Sequence, residues 1–191
     1  MRKRLLAATL RSLLDLGYTR TSTTEVCRRA KVSRGAHLHH FPTKAELVAA
    51  AVDHVFDERL RDFGRFVQRL GEVAPKDLAA LYEQLWTEYK SDAFYAWLEL
   101  LLASRTDDAL RPHVRVVDRR FTERAEQLCA ATFGAIDPAE IPAVARMVMA
   151  LFEGLALHYI ADERDEVAHA VLRVFARVAR PPTSRSQRSA G

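Results

Sequence analysis

Residues 21–44, TSTTEVCRRAKVSRGAHLHHFPTK, concentrate side chains able to grip a phosphate or read a base. Arg34 carries a planar guanidinium that can donate two hydrogen bonds to O6 and N7 of a guanine, a contact that discriminates one base pair by about 1–3 kcal/mol. Ser22, Thr24, Ser33 and Lys44 stand at expected helix N-termini, where hydroxyl, ammonium and backbone N–H groups suit phosphate oxygens. Contacts of that second kind position a protein on a duplex without carrying sequence information.

These side chains need short helices to hold them. Ser22-Thr23-Thr24-Glu25 has the form of a capping box, in which the serine hydroxyl serves the N–H of Glu25 and the glutamate returns to the N–H of Ser22. The apolar face Val26, Cys27, Ala30 then lasts barely two turns. Ser33 is suited to cap a second helix over residues 34–40, with the small Gly35 in its first turn. Phe41-Pro42 ends that helix, because a residue before proline is pushed out of the helical region. Thr43-Lys44-Ala45-Glu46 is a further capping box. Helix, tight turn, helix is the arrangement that lays its second member in the DNA major groove.

His37, His39 and His40 could suggest a metal, since positions 37 and 40 share a helix face. No third ligand of matching spacing accompanies them, so phosphate contact or packing is the expectation, with neither metal nor cofactor.

Glycine and proline number seven each in 191 residues. A chain so poor in them and rich in Ala, Leu, Arg and Glu is expected to be all-helical. The formal charge of +4 is unevenly placed: residues 1–47 hold ten basic and three acidic side chains, +7 net, which leaves −3 for the rest. A basic head on a slightly acidic body points to a polyanion partner for the head alone, against the plain alternative of a solvated basic face. Cys27 and Cys129 lack metal or redox-motif spacing and read as reduced core thiols of a cytoplasmic protein. The basic, apolar start of the chain fails as a signal peptide because Arg11 and Asp15 interrupt it. No run reaches the ~18 uninterrupted apolar residues of a membrane span.

In the first helix, residues 2–16, Leu6, Leu10, Leu13 and Leu14 recur at helical spacing, and Gly17 is its natural stop. It can brace the two short helices, which are too small to bury their own apolar faces. A long apolar pattern over 43–70 can link head to body, with a break at 71–75. Further helices are expected over 75–89, 91–104 and from Asp107-Asp108 to 133. Asp137-Pro138-Ala139-Glu140, an N-cap with proline in the first turn, starts the next, and the last runs over 165–179. Residues 181–191 have the composition of a disordered tail.

The pattern over residues 2–48 resembles the tetracycline-repressor (TetR) family of transcription regulators: a leading amphipathic helix, Gly17-Tyr18, Thr21-Ser22, Val26 and Ala30, then Val32-Ser33-Arg34-Gly35 running into His39-His40-Phe41 and Lys44 before Leu47. Beyond residue 48 the agreement is in helix number and order. The resemblance implies about nine helices: a helix-turn-helix DNA-binding domain at 1–47, an effector-binding and dimerisation domain at 48–180, and the tail. It places DNA contacts on Ser22, Thr24, Ser33, Arg34, Gly35, Ala36, Leu38, His39, His40 and Lys44. One departure stands out. His37-Leu38 occupies positions where the family usually has an apolar residue followed by tyrosine, and Leu38 has no hydrogen to donate to the backbone of DNA.

The body is dense in aromatic side chains, most of which at helical spacing belong in a core. Trp86, Tyr89, His113, Phe152 and His158 are the candidate effector contacts. The apolar faces of 144–159 and 167–178 exceed the needs of an edge helix, which fits a homodimer on a palindromic operator. The expected function is a ligand-responsive DNA-binding regulator of the repressor type, cytoplasmic and with no membrane partner. The alternative is an all-helical small-molecule binding protein with unspecific polyanion affinity. No nucleophile elbow, phosphate loop or acid–base pair supports an enzyme.

Overall fold

The computed structural model describes residues 1–54, 56–57, 78–132 and 136–178. Among these the chain is helical without a strand: α1 (Arg2–Arg20), α2 (Thr23–Ala30), α3 (Arg34–His40), α4 (44–54 and 56–57), α5 (Leu78–Tyr89), α6 (Asp92–Ala103), α7 (Arg111–Thr132), a 3-10 turn (Pro138–Glu140), α8 (Ile141–Asp162) and α9 (Asp165–Val178). The all-α expectation holds. The expected continuation of α4 through 58–70, the break at 71–75 and the tail at 181–191 lie outside the described residues.

Local sequence sets the helix boundaries. Ser22 Oγ accepts the N–H of Glu25 at 3.2 Å and starts α2, which ends where Lys31 turns left-handed at φ 52°. The other half of this capping box takes a different form. The Glu25 carboxylate is drawn off the backbone by Arg28 and Arg29, at 2.7 and 2.6 Å, since a charged donor binds it more strongly than a neutral N–H does. The Thr43 box closes both ways, each bond 3.1 Å, and launches α4. Asp107 Oδ1 accepts the N–H groups of Ala109 and Leu110 ahead of α7, and Asp137 caps the 3-10 turn through Ala139. Gly17 interrupts α1 rather than ending it: at φ 72°, ψ 172° it bends the helix, and one further turn follows before Thr21.

Two cores form. The head core gathers Leu5, Leu6 and Ala8 of α1, Val26 and Ala30 of α2, Phe41, and Leu47 and Ala51 of α4. The body core takes Leu13 of α1 and Ala45, Val48, Val52 and Phe56 of α4, and joins them to residues of α5–α9 including Trp86, Trp97, Leu100, Phe152 and Leu172. Each fully buried Val, Leu or Phe among them contributes about 1.5–3 kcal/mol. Thus α1 and α4 each bury residues in both cores. Polar bonds reinforce the joint. The Tyr18 N–H donates to Glu99 Oε2 at 3.1 Å, the Tyr18 hydroxyl donates to Asp107 Oδ2 at 2.6 Å, and Arg120 of α7 binds Asp53 and Asp57 of α4.

One flank of α8 enters the core through Ala145, Met149, Phe152 and Ala156. Met147, Leu157 and Ile160 on that helix are exposed, as are Val167, Val174 and Val178 of α9. The segment Pro138–Asp162 is long and apolar enough to cross a membrane, and 22% of its most apolar window is buried inside this chain.

An alanine at position 17 would have to adopt a backbone conformation that only glycine takes readily, and its Cβ would stand 3.3 Å from Glu99 Oε2. Gly17→Ala is therefore expected to destabilise by about 1–3 kcal/mol, read as a lower urea midpoint. Gly35→Ala, whose Cβ would meet nothing within 4 Å inside a helix, is expected to hold or raise that midpoint.

Candidate functional site

The described side chains of α3 face solvent. Arg34, Gly35, Leu38, His39 and His40 are exposed, as are Ser22, Thr24 and Ser33 next to it in the chain. Leu38 is 57% exposed, so this departure from the usual aromatic places an apolar side chain on the outer surface of the helix. Ala36 belongs to the same helix. Arg34 Nη2 donates to Thr24 Oγ1 at 2.6 Å, which draws the starts of α2 and α3 into one polar surface. The His39 and His40 rings meet edge to face, 5.5 Å apart, and among the described residues no group of acidic, histidine or cysteine side chains has the geometry to hold a metal.

Lys44 stands apart from that surface. Half-buried, its Nζ donates to the Tyr18 carbonyl at 2.7 Å and lies 4.0 Å from the centre of the Tyr18 ring. Burial lowers its pKa, and the Asp107 carboxylate opposes that shift. The Asp107 carboxyl is itself held below the usual range by the Tyr18 hydroxyl and the Leu110 N–H. Lys44 thus serves the joint between head and body, and a phosphate contact would have to draw it from Tyr18.

A cleft between α1 and α2 collects Arg4, Arg11, Arg28, Arg29 and Lys31, with Arg4 Nη2 donating to the carbonyls of Ala30 and Lys31 at 2.5 and 3.1 Å. The head's charge count signals these residues, but only the packing of α1 on α2 brings them together. Arg28 and Arg29 share Glu25, and Asp15 accepts from Arg29 at 2.5 Å. The two guanidiniums lower the Glu25 pKa to about 2.

In the body, α5, α6, α7 and α8 line an apolar cavity of about 110 Å³, to which α4 contributes Phe56. Of the five candidate effector contacts, Tyr89 lines it. Phe152 stacks on Tyr89 with ring centres 5.2 Å apart and forms a layer behind the wall. Trp86 is buried, its Nε1–H donating to Asp165 at 2.8 Å, beside Lys90, which also binds Asp165. His113 lines a separate cleft between α4 and α7 with Asp53 and Val117, and His158 is exposed. Phe56, Tyr82, Phe94, Phe121, Cys129 and Met149 complete most of the wall. Sequence periodicity marks them as apolar without showing which face encloses a void.

A solvent-facing short helix on a basic three-helix head, joined to a hollow helical body, has counterparts among known proteins. Residues 5–51 match the bacterial regulatory proteins of the tetR family, and residues 76–180 match the C-terminal domain of the BetI-type transcriptional repressor. The chain belongs to the TetR family. It is a helix-turn-helix transcriptional regulator and not an enzyme. Like this TetR-family chain, the HTH-type transcriptional regulator BetI of Burkholderia cenocepacia spans both parts: it is 30% identical over 164 residues, which cover 82% of this chain and 80% of that protein. A transcriptional regulator from Rhodococcus sp. Rha1 superposes with a TM-score of 0.76 at 27% identity, over 93% of this chain and 95% of that one. FadR of Bacillus subtilis, solved in complex with stearoyl-CoA, shares the fold at a TM-score of 0.71 and 10% identity, covering 93% and 97% of the two chains.

The electrostatics of the α1–α2 cleft can be tested by titration. With its pKa depressed from 4.5 to about 2, Glu25 contributes stability that is present above pH 4.5 and is lost as the pH falls toward 2. A carboxyl NMR titration is expected to give a midpoint near that value, and Arg28→Ala combined with Arg29→Ala is expected to return it to the ordinary glutamate range.

Proposed function

We propose that this TetR-family chain is a repressor that binds a palindromic operator as a homodimer in the cytoplasm and leaves it when a small apolar or amphipathic effector fills the body cavity. The observation that carries the reading is the double duty of α4. Phe56 lines the cavity while Leu47 and Ala51 of the same helix build the head core. An effector that binds better when α4 is displaced lowers operator affinity by the difference in its own affinity for the two states.

The exposed apolar residues of α8 and α9 support the dimer, because a two-fold axis lets a second copy cover them with the same surface. Two heads about 34–36 Å apart would then meet successive turns of a palindrome. Repression as the sign of regulation draws on the likeness of residues 76–180 to a repressor domain. Effector binding draws on the apolar cavity and on the acyl-CoA held by FadR, a protein of the same fold.

On the DNA side, the ten residues named from the sequence divide by position. Arg34, Leu38, His39 and His40, with Gly35 and Ala36 between them, would face base edges. Ser22, Thr24 and Ser33 would meet phosphates, and Lys44 would do so on leaving Tyr18.

Selection of bound duplexes from a random pool at physiological salt tests this. The expected outcome is an enriched palindrome; a bound pool without one contradicts the proposal. Arg34→Ala is expected to relax preference at one base pair per half-site by about 1–3 kcal/mol. Lys44→Ala is expected to weaken all sequences alike and to reduce the salt slope by about one unit per head.

A further inference from the structure

The head carries a second basic surface, outside the ten residues named for DNA contact. In the cleft between α1 and α2, Arg4 and Arg11 stand two helical turns apart along one stripe of α1. Arg28, Arg29 and Lys31 line the same cleft from the end of α2. The charges there are of two kinds. Arg28 and Arg29 are compensated: they share Glu25 at 2.7 and 2.6 Å, and Arg29 also binds Asp15.

Arg4, Arg11 and Lys31 are not compensated. All three are exposed, and among the described residues none of their side chains forms an ion pair, nor does any carboxylate belong to the lining of the cleft. Arg4 is held instead by neutral acceptors, its Nη2 donating to the carbonyls of Ala30 and Lys31 at 2.5 and 3.1 Å. A guanidinium carries five N–H donors, so those on Nε and Nη1 stay unspent on a side chain that is already fixed in place. Like charges gathered into one cleft repel each other, a cost that an even spread over the surface would avoid and that a polyanion seated among them offsets.

The position of the cleft names the polyanion. Lys31 precedes Ser33 by two residues, and two residues of chain reach at most about 7 Å, so the cleft adjoins the start of α3. Duplex DNA carries one phosphate charge per ~1.7 Å of its axis, and a duplex lying on α3 therefore brings further phosphates beside the helix it touches.

We propose that the α1–α2 cleft is a second contact to duplex DNA, in which Arg4, Arg11 and Lys31 take backbone phosphates next to the stretch that α3 reads. The inference rests on the DNA-binding reading and adds to it a phosphate clamp outside the helix-turn-helix, one without base preference.

Anisotropy of a fluorescein-labelled random-sequence duplex of about 40 base pairs, titrated with the full-length protein at roughly 50 to 200 mM KCl, tests the clamp through the salt dependence of binding. Arg11→Gln combined with Lys31→Gln is expected to flatten the slope of log affinity against log salt by about two units per bound head, with the urea midpoint unchanged. Arg115→Gln combined with Arg119→Gln removes the same charge from the exposed face of α7. That pair is expected to change the slope by less than about half a unit, since charges far from the duplex are screened. Acetylation of the wild-type chain by acetic anhydride, located by peptide mass, is expected to find Lys31 reactive in the free protein and protected in the saturated complex. This second measurement needs no substitution and stands whatever the variants do to folding. Equal slopes for the two double variants, or a Lys31 that stays reactive in the saturated complex, overturn the clamp and leave α3 as the DNA surface. Failure of the wild-type protein to bind the duplex at the lowest salt overturns the clamp together with the DNA-binding reading beneath it.

Discussion

The structure depends on two helices that each have two buried faces. Along α1, Leu5, Leu6 and Ala8 belong to the head core and Leu13 to the body core; along α4, Leu47 and Ala51 point one way and Ala45, Val48, Val52 and Phe56 the other. A helix buried on one side can tilt at little cost by sliding over its neighbour. A helix clamped between two close-packed cores transmits displacement instead, because such interiors resist small deformation and shift between discrete arrangements. The seven-residue α3 owes its position to this clamp.

The polar groups at the joint follow from the same constraint. Where the bend at Gly17 brings the end of α1 against α6 and the start of α7, backbone groups and a phenol at the partly exposed joint are paired within the protein. Glu99 accepts the Tyr18 N–H, Asp107 accepts the Tyr18 hydroxyl, and Lys44 takes the Tyr18 carbonyl. Tyr18 is thereby bonded to α4, to α6 and to the segment leading into α7, so a movement of the body near Asp107 reaches the start of α4 directly. In this state Lys44 is held by the protein, which makes its availability to DNA a property of the joint rather than of the head alone.

Features fixed by neighbours in the chain were legible in the sequence. The Ser22 and Thr43 caps and the Asp137 start depend on residues within four positions and show in four-letter patterns, whereas Gly17 reads as a stop and bends α1 instead, and no pattern marks the left-handed Lys31 that ends α2. Arg28 and Arg29 stand three and four positions after Glu25, the spacing of helical ion pairs, and this local signal outweighs the capping-box pattern that assigns the carboxylate to the Ser22 N–H. Features fixed by packing were not legible: nothing near Lys44 signals Tyr18, 26 residues away. The cavity was the least legible. Periodicity identifies an apolar face, but whether Trp86 or Tyr82 borders an empty volume depends on how five helices meet. Trp86 proved to be occupied with Asp165, and Tyr82, which lines the cavity, lies one turn earlier on the same helix.

The central claim is that head and body are one mechanical unit, and the chain carries natural reporters for each. Cys27 is buried in α2 of the head, while Trp86 and Trp97 are buried in the body. A urea titration followed simultaneously by tryptophan fluorescence and by pulsed thiol labelling of Cys27, resolved from Cys129 by peptide mass, measures the two unfolding transitions at one protein concentration. The account predicts coincident midpoints and slopes. Labelling of Cys27 at urea concentrations that leave the tryptophan signal native would contradict it, because the head would then unfold while both cores that clamp α1 and α4 should still be holding it.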